Sequence, residues 1–132
     1  MSRKELREHI FRMLFRIEFN SDEEMKEQET FYFEELEEAT GKDQEYILNK
    51  YRAVVEKKEE IDTLLNEVTE GWKTSRMNRV DLTILRLATY EIKWDANIPT
   101  GVAINEAVEL AKKFGRDESY SFVNGVLARF AS

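Results

Sequence analysis

At 132 residues the chain is the size of one domain, Met1 to Ser132, able to build its core without disulfide or metal staples. It contains no cysteine, which excludes disulfides, thiol catalysis and cysteine–metal sites. No apolar run approaches the ~20 residues that span a bilayer, and charges interrupt Met1–Phe19 throughout, so a cytoplasmic protein with no signal peptide and no membrane contact is expected. Five glycines and one proline leave little material for hairpins, and helix formers dominate. The net charge of −7 is unevenly spread. Met1–Ile17 has five basic and two acidic residues, a balance of +3, and Glu18–Glu70 has six and eighteen, a balance of −12. Gly71–Ser132 has nine and seven, a balance of +2. An acidic segment does not cancel a basic patch lying beyond a Debye length of about 8–10 Å, so nucleic-acid contact stays open despite the overall sign.

The first predicted helix runs from Arg3 to Phe19, with Ser2 as its cap and Leu6, Ile10, Met13, Leu14 and Ile17 on one stripe. Lys4, Arg7, Phe11 and Phe15 form a neighbouring stripe. Cations interleaved with aromatics suit single-stranded nucleic acid, which needs charge for its phosphates and flat rings for its unstacked bases. The bland reading is a widened core stripe with solvated basic residues. Ser21 or Asp22 caps a second helix with Met25, Tyr32, Leu36 and Ala39 inside, ending at Thr40-Gly41-Lys42. Asp43 caps a third, with Ile47, Leu48, Tyr51, Val54 and Val55 inside. Lys57–Glu60 reads as a charged interruption before a short fourth helix (Ile61, Leu64, Leu65, Val68) that ends near Gly71. The Glu59 and Asp62 carboxylates read as a solvated face.

Asn78 caps a fifth helix that is apolar over much of its circumference (Val80, Ile84, Leu87, Ala88, Ile92), which suits a central element. Arg86 and Glu91 flank its stripe as either internal salt bridges or part of a protein-binding surface. Pro99 opens a sixth helix lined by Val102, Ile104, Ala107, Val108, Ala111 and Phe114, and Gly115 stands where a left-handed cap belongs. Asp117 caps a seventh, with Phe122, Val123, Val126, Leu127 and Phe130 on one side. Ser119 and Asn124 are expected to support the turn and close packing at Gly125. The fold class is therefore all-α, a compact single-domain bundle of about seven helices.

The run INEAVELAKKFG followed by S-x-x-FVNGVL resembles the signature of the bacterial transcription antitermination factor NusB family. The likeness extends upstream through RVDLTILRLATYE (Arg79 to Glu91) and back to the basic first helix with its Arg7–Glu8 pair. From about Phe19 to Asn66 only the helical pattern matches. The resemblance implies an RNA-binding antitermination factor that recognises boxA-type RNA of ribosomal RNA leaders. It implies a heterodimer with the small-subunit ribosomal protein acting as NusE, joined to the RNA polymerase antitermination complex. It places Arg3, Lys4, Arg7 and Phe15 at the RNA, where the family usually has tyrosine in place of Phe15, and Glu118 and Phe122 beside it. From the residues alone, Phe122 reads first as core. Arg79, Asp81, Arg86, Tyr90 and Glu91 are the expected partner-binding set. The alternative is a protein–protein module of the same fold without RNA affinity, or a homodimer that hides its basic helix. No G-x-S-x-G, P-loop or dinucleotide fingerprint occurs, and the lone histidine, His9, has no partner in sequence, so neither catalysis nor a cofactor nor a metal is expected.

Overall fold

Each of the first three helices starts at a hydroxyl side chain that closes a reciprocal cap with a carboxylate three residues on. In the computed structural model, which describes residues 1–131, Glu5 N donates to Ser2 Oγ at 3.1 Å while Ser2 N donates to Glu5 Oε1 at 3.1 Å. Ser21 and Glu24 repeat the pattern at 3.2 and 2.8 Å. Thr40 and Asp43 do so at 3.1 Å in both directions. The donated backbone N–H bonds hold the carboxyls of Glu5, Glu24 and Asp43 below their ordinary pKa. These caps define α1 (Arg3–Arg16), α2 (Asp22–Glu35) and α3 (Gly41–Glu56). After them come α4 (Lys58–Thr69), a 3-10 turn at Thr74–Arg76, α5 (Arg79–Trp94), α6 (Thr100–Phe114) and α7 (Ser119–Ala131). The described residues hold seven α-helices and no strand, so the fold is all-α. Ser132, the last residue of the expected domain, lies outside the described residues.

The chain divides into two compact units, Met1–Val55 and Glu56–Ser132. In the first, α1 packs on α2. Ile10, Met13 and Leu14 of α1, Met25 and Tyr32 of α2, and Ile47, Tyr51 and Val54 of α3 are all buried. Arg52 of α3 reaches Glu29 of α2 at 3.2 Å, and the N-terminal ammonium reaches Asp43 at 3.4 Å. In the second unit α5 packs against α4, α6 and α7, and α6 against α7. Every residue of α5 from Asp81 to Thr89 is buried, as its nearly continuous apolar circumference predicts.

Several boundaries differ from the sequence reading. Helix α1 stops at Arg16, and Ile17, Glu18 and Phe19 continue as tight turns bonded three residues back. Helix α2 ends at Glu35, because Thr40-Gly41-Lys42 begins α3: Thr40 is the cap and Asp43 its partner. Lys58–Glu60 forms the first turn of α4, where Glu59 and Glu60 suit the positive end of the helix dipole. Gly115 is extended (φ −91°, ψ −171°), not left-handed. Glycine is required there by space, since a Cβ would sit 2.5 Å from the Cβ of Ser119. Gly125 faces open space, so no close packing depends on it. Helix α7 starts at Ser119, whose Oγ accepts from Arg116 N at 2.9 Å and closes the turn after α6.

His9 and Tyr32 tie α1 to α2 through a 2.5 Å contact between Nδ1 and the phenol, with the Arg16 guanidinium 4.7 Å over the tyrosine ring. Burial first, and then Arg12, push the His9 pKa below its ordinary value, against smaller opposing pulls from Glu38, Glu8 and Glu5. A histidine whose folded pKa is depressed favours the folded state while neutral. Its contribution is complete above the unfolded value of about 6.5 and is lost as pH falls through the folded one. The urea midpoint is therefore expected to fall between pH 7.5 and 5.5. His9→Gln, which keeps a hydrogen-bonding group facing Tyr32, should flatten that dependence.

Candidate nucleic-acid interface

Arg3 and Lys4 lie in the first turn of α1, where the helix dipole disfavours cations, and both side chains are exposed. Arg7 is placed differently from the expected open stripe: only 7% of its surface is exposed. It stands three and seven residues before Ile10 and Leu14 and so shares their buried face. Further along, Phe11, Phe15 and Phe19 recur every four residues as a ladder. Phe11 and Phe15 stack with ring centroids 6.1 Å apart, and Phe15 meets Phe19 edge-on at 5.1 Å. The ladder runs from buried Phe11 through half-buried Phe15 to Phe19, which is 65% exposed. Phe19, which the helical pattern places at the end of the first predicted helix, is the outer rung of this ladder.

A second surface lies within Glu56–Ser132. Helix α4 ends at Glu70 in the left-handed region (φ 46°), followed by Gly71 at φ 100°, where glycine is the residue that fits without strain. Thr69 Oγ1 then donates to the Trp72 carbonyl at 2.8 Å, and Thr74 N donates to Asn66 Oδ1 at 2.9 Å. This reversal leaves the Trp72 indole 56% exposed and 6.1 Å from the half-buried Phe122 ring of α7. The two rings belong to a recess of about 590 Å³ that also takes in Arg76, Asp81, Arg116 and Glu118. Asn78 caps α5 beside it, accepting from Val80 N at 2.8 Å and Asp81 N at 3.3 Å. The Asp81 side chain is buried (8% exposed), and its Oδ1 accepts no hydrogen bond. Glu118 and Phe122 were expected here. Trp72, Arg76 and Arg116 were not, because the sequence alone does not reveal that the turn after α4 meets the start of α7.

Comparison with known proteins decides the family. The model of the NusB family matches residues 4–132. The chain belongs to the NusB family. It is 55% identical over 129 residues to the transcription antitermination protein NusB of Lachnoclostridium phytofermentans, covering 98% of each chain. The solved structure of T. maritima NusB superposes with a TM-score of 0.84 at 35% identity, over 99% of this chain and 91% of that one. A chain in a solved structure described as a plectonemic RNA supercoil also matches, with a TM-score of 0.84, 27% identity and coverage of 98% and 93%.

The α5 residues expected to bind a partner divide by burial. Arg79 is exposed, and its carbonyl accepts from Thr83 Oγ1 at 2.7 Å. Tyr90 is half-buried and stacks on Trp94 with centroids 5.9 Å apart. Glu91 is 2% exposed. For Arg86 the internal ion pair is the reading its geometry supports. Its Nε and Nη2 donate to Asp62 Oδ1 and Oδ2 at 2.9 and 2.8 Å, and its side chain is 7% exposed. Asp62 is therefore half-buried and engaged, not part of a solvated face. Among the described residues no group of three His, Cys, Asp or Glu side chains is placed to hold a metal, and no helix is long and apolar enough to cross a membrane.

Removing one partner of a buried charge pair leaves the other uncompensated. Asp62→Asn is expected to destabilise the protein by about 2–3 kcal/mol, less than for a fully buried pair because Asp62 keeps 23% exposure. Urea unfolding measures this, and the same change should not alter the helix content of the folded state.

Proposed function

We propose that this chain acts as a transcription antitermination factor that holds single-stranded boxA-type RNA in company with a ribosomal protein. The reading rests on exposed aromatics standing beside exposed cations on two surfaces. On α1, Arg3 and Lys4 supply charge for phosphates, and Phe15 with Phe19 offers ring faces for unstacked bases. In the second unit, Trp72 and Phe122 offer rings, with Arg76 and Arg116 beside them and Glu118 at the same recess. Arg7 acts on this reading as a positioning residue, anchored among the core residues of α1. The name carried by its relatives, transcription antitermination protein NusB, is in accord with this role.

With a net charge of −7 concentrated in the middle segment, the protein repels polyanions at long range. Short-range contacts must overcome that repulsion, so affinity and selectivity depend on surface added by the partner, the small-subunit ribosomal protein acting as NusE. The exposed Arg79 and the accessible edge of Tyr90 are the parts of α5 available to it. The assembled complex then joins RNA polymerase and opposes premature termination. No step in this mechanism makes or breaks a covalent bond.

Fluorescence anisotropy with a labelled boxA-type RNA tests the reading, with and without the ribosomal protein and against a scrambled RNA. Reversing both first-turn cations (Arg3→Glu with Lys4→Glu) should weaken binding by about tenfold or more at low salt. It should also reduce the slope of log affinity against log salt by about two. Unchanged binding by the reversed variant would remove α1 from the interface. Self-association that buries α1 and excludes RNA would favour the interaction-module reading instead.

A further inference from the structure

We infer that the groove between α6 and α7 pairs with the same groove on a second copy of this chain. It holds about 510 Å³, and its floor includes the half-buried Ile104 and Val108, one turn apart on α6. Tyr120 of α7 lines it too, 46% exposed and with the Lys112 ammonium 5.7 Å from its ring centroid. At the N-terminal end of α6, no atom lies within 4 Å of where a Cβ on Gly101 would stand, so a second backbone can come close. Val102 beside it is 43% exposed. One region of the surface thus offers both projecting apolar side chains and a hollow to receive them, which is what an isologous contact needs.

The polar groups of the groove indicate its occupant. In a chain of which 36% is charged, Lys112 is the one charged residue lining the groove among the described residues, and it already lies 4.0 Å from Glu109. The other polar side chains, those of Asn105, Tyr120, Ser121 and Asn124, are all exposed, and each both donates and accepts hydrogen bonds. Such groups can pair with their own copies across a twofold axis, whereas carboxylates and ammonium groups repel theirs. Nucleic acid finds a single cation here for its phosphates, and a cationic protein finds no carboxylate in the lining. A chain of net charge −7 repels its own copy, so self-association belongs where charge is sparse. The groove shares no residue with the surfaces given to RNA. Tyr120 is two residues from Phe122, which at ~100° per residue puts the two about 200° apart round α7. This pairing therefore differs from a self-association that buries α1 and excludes RNA.

Analytical ultracentrifugation of the whole protein tests the pairing, with loading from about 1 μM to 1 mM, the span over which weak interfaces half-associate. The mass should rise from monomer toward dimer across that range. Screening relieves the repulsion between two chains of charge −7, so association should tighten as salt rises, the reverse of RNA binding. Ser121→Glu and Ser121→Lys, both at an exposed position of α7, should each weaken association about tenfold or more, because like charges then meet across the axis. An equimolar mixture of the two variants should restore it, which neither misfolding nor a contact elsewhere would produce. A protein that stays monomeric over the whole range, association that both variants leave intact, or a mixture that stays apart overturns the inference. If the unsubstituted protein stays monomeric and Ser121→Glu weakens binding of the ribosomal protein, the inference is overturned and the groove belongs to that partner.

Discussion

Burial of α5 from Asp81 to Thr89 obliges every polar group on that stretch to find its partner inside the second unit or do without. Arg86 finds Asp62 of α4 through two short bonds, and Thr83 returns its hydroxyl to the Arg79 carbonyl one turn back. Both solutions also join or stiffen elements, since the Arg86 pair ties α4 to the helix at the centre of the unit. Asp81 and Thr89 have no such solution, and each keeps one buried oxygen without a partner. Of the two, Asp81 stands at the wall of a recess.

The first unit is assembled by different means. Three reciprocal caps in succession set where its helices begin, and each uses a carboxylate from a segment already rich in them. The acidic residues of α2 and α3 are therefore partly structural: Asp43 closes a cap and meets the chain's N-terminal ammonium, and Glu29 meets Arg52. What remains of the negative charge is a solvated coat. Arg3 and Lys4 remain exposed as a local exception to it, at the helix end where the dipole gives cations least support.

Aromatic side chains appear in both units in the same graded manner. Phe11, Phe15 and Phe19 pass from buried to exposed along four-residue steps, and Trp72 leans on a half-buried Phe122. In each case a more buried ring stands against the exposed one and limits the freedom of the exposed ring face.

Periodicity and cap chemistry in the sequence by themselves determined the all-α class, the number of helices, the Ser2 and Asn78 caps, and the central place of α5. These are local properties: a helix stripe and an N-cap are settled within one or two turns of chain. The resemblance carried by INEAVELAKKFG and FVNGVL pointed to the family, which the match over residues 4–132 established. Only the tertiary structure decided which charges are open. Arg7 and Lys4 look alike on a helical stripe, yet one is buried and the other is not, because the width of the covered face depends on what packs against it. It decided likewise that Gly115 answers to the Ser119 side chain and not to a left-handed turn. The recess is the clearest case. Phe122 is separated from Trp72 and Asp81 by a long stretch of chain, and only the packing of α4, α5 and α7 brings an exposed indole, a carboxylate with one unpartnered oxygen and a second ring into one place.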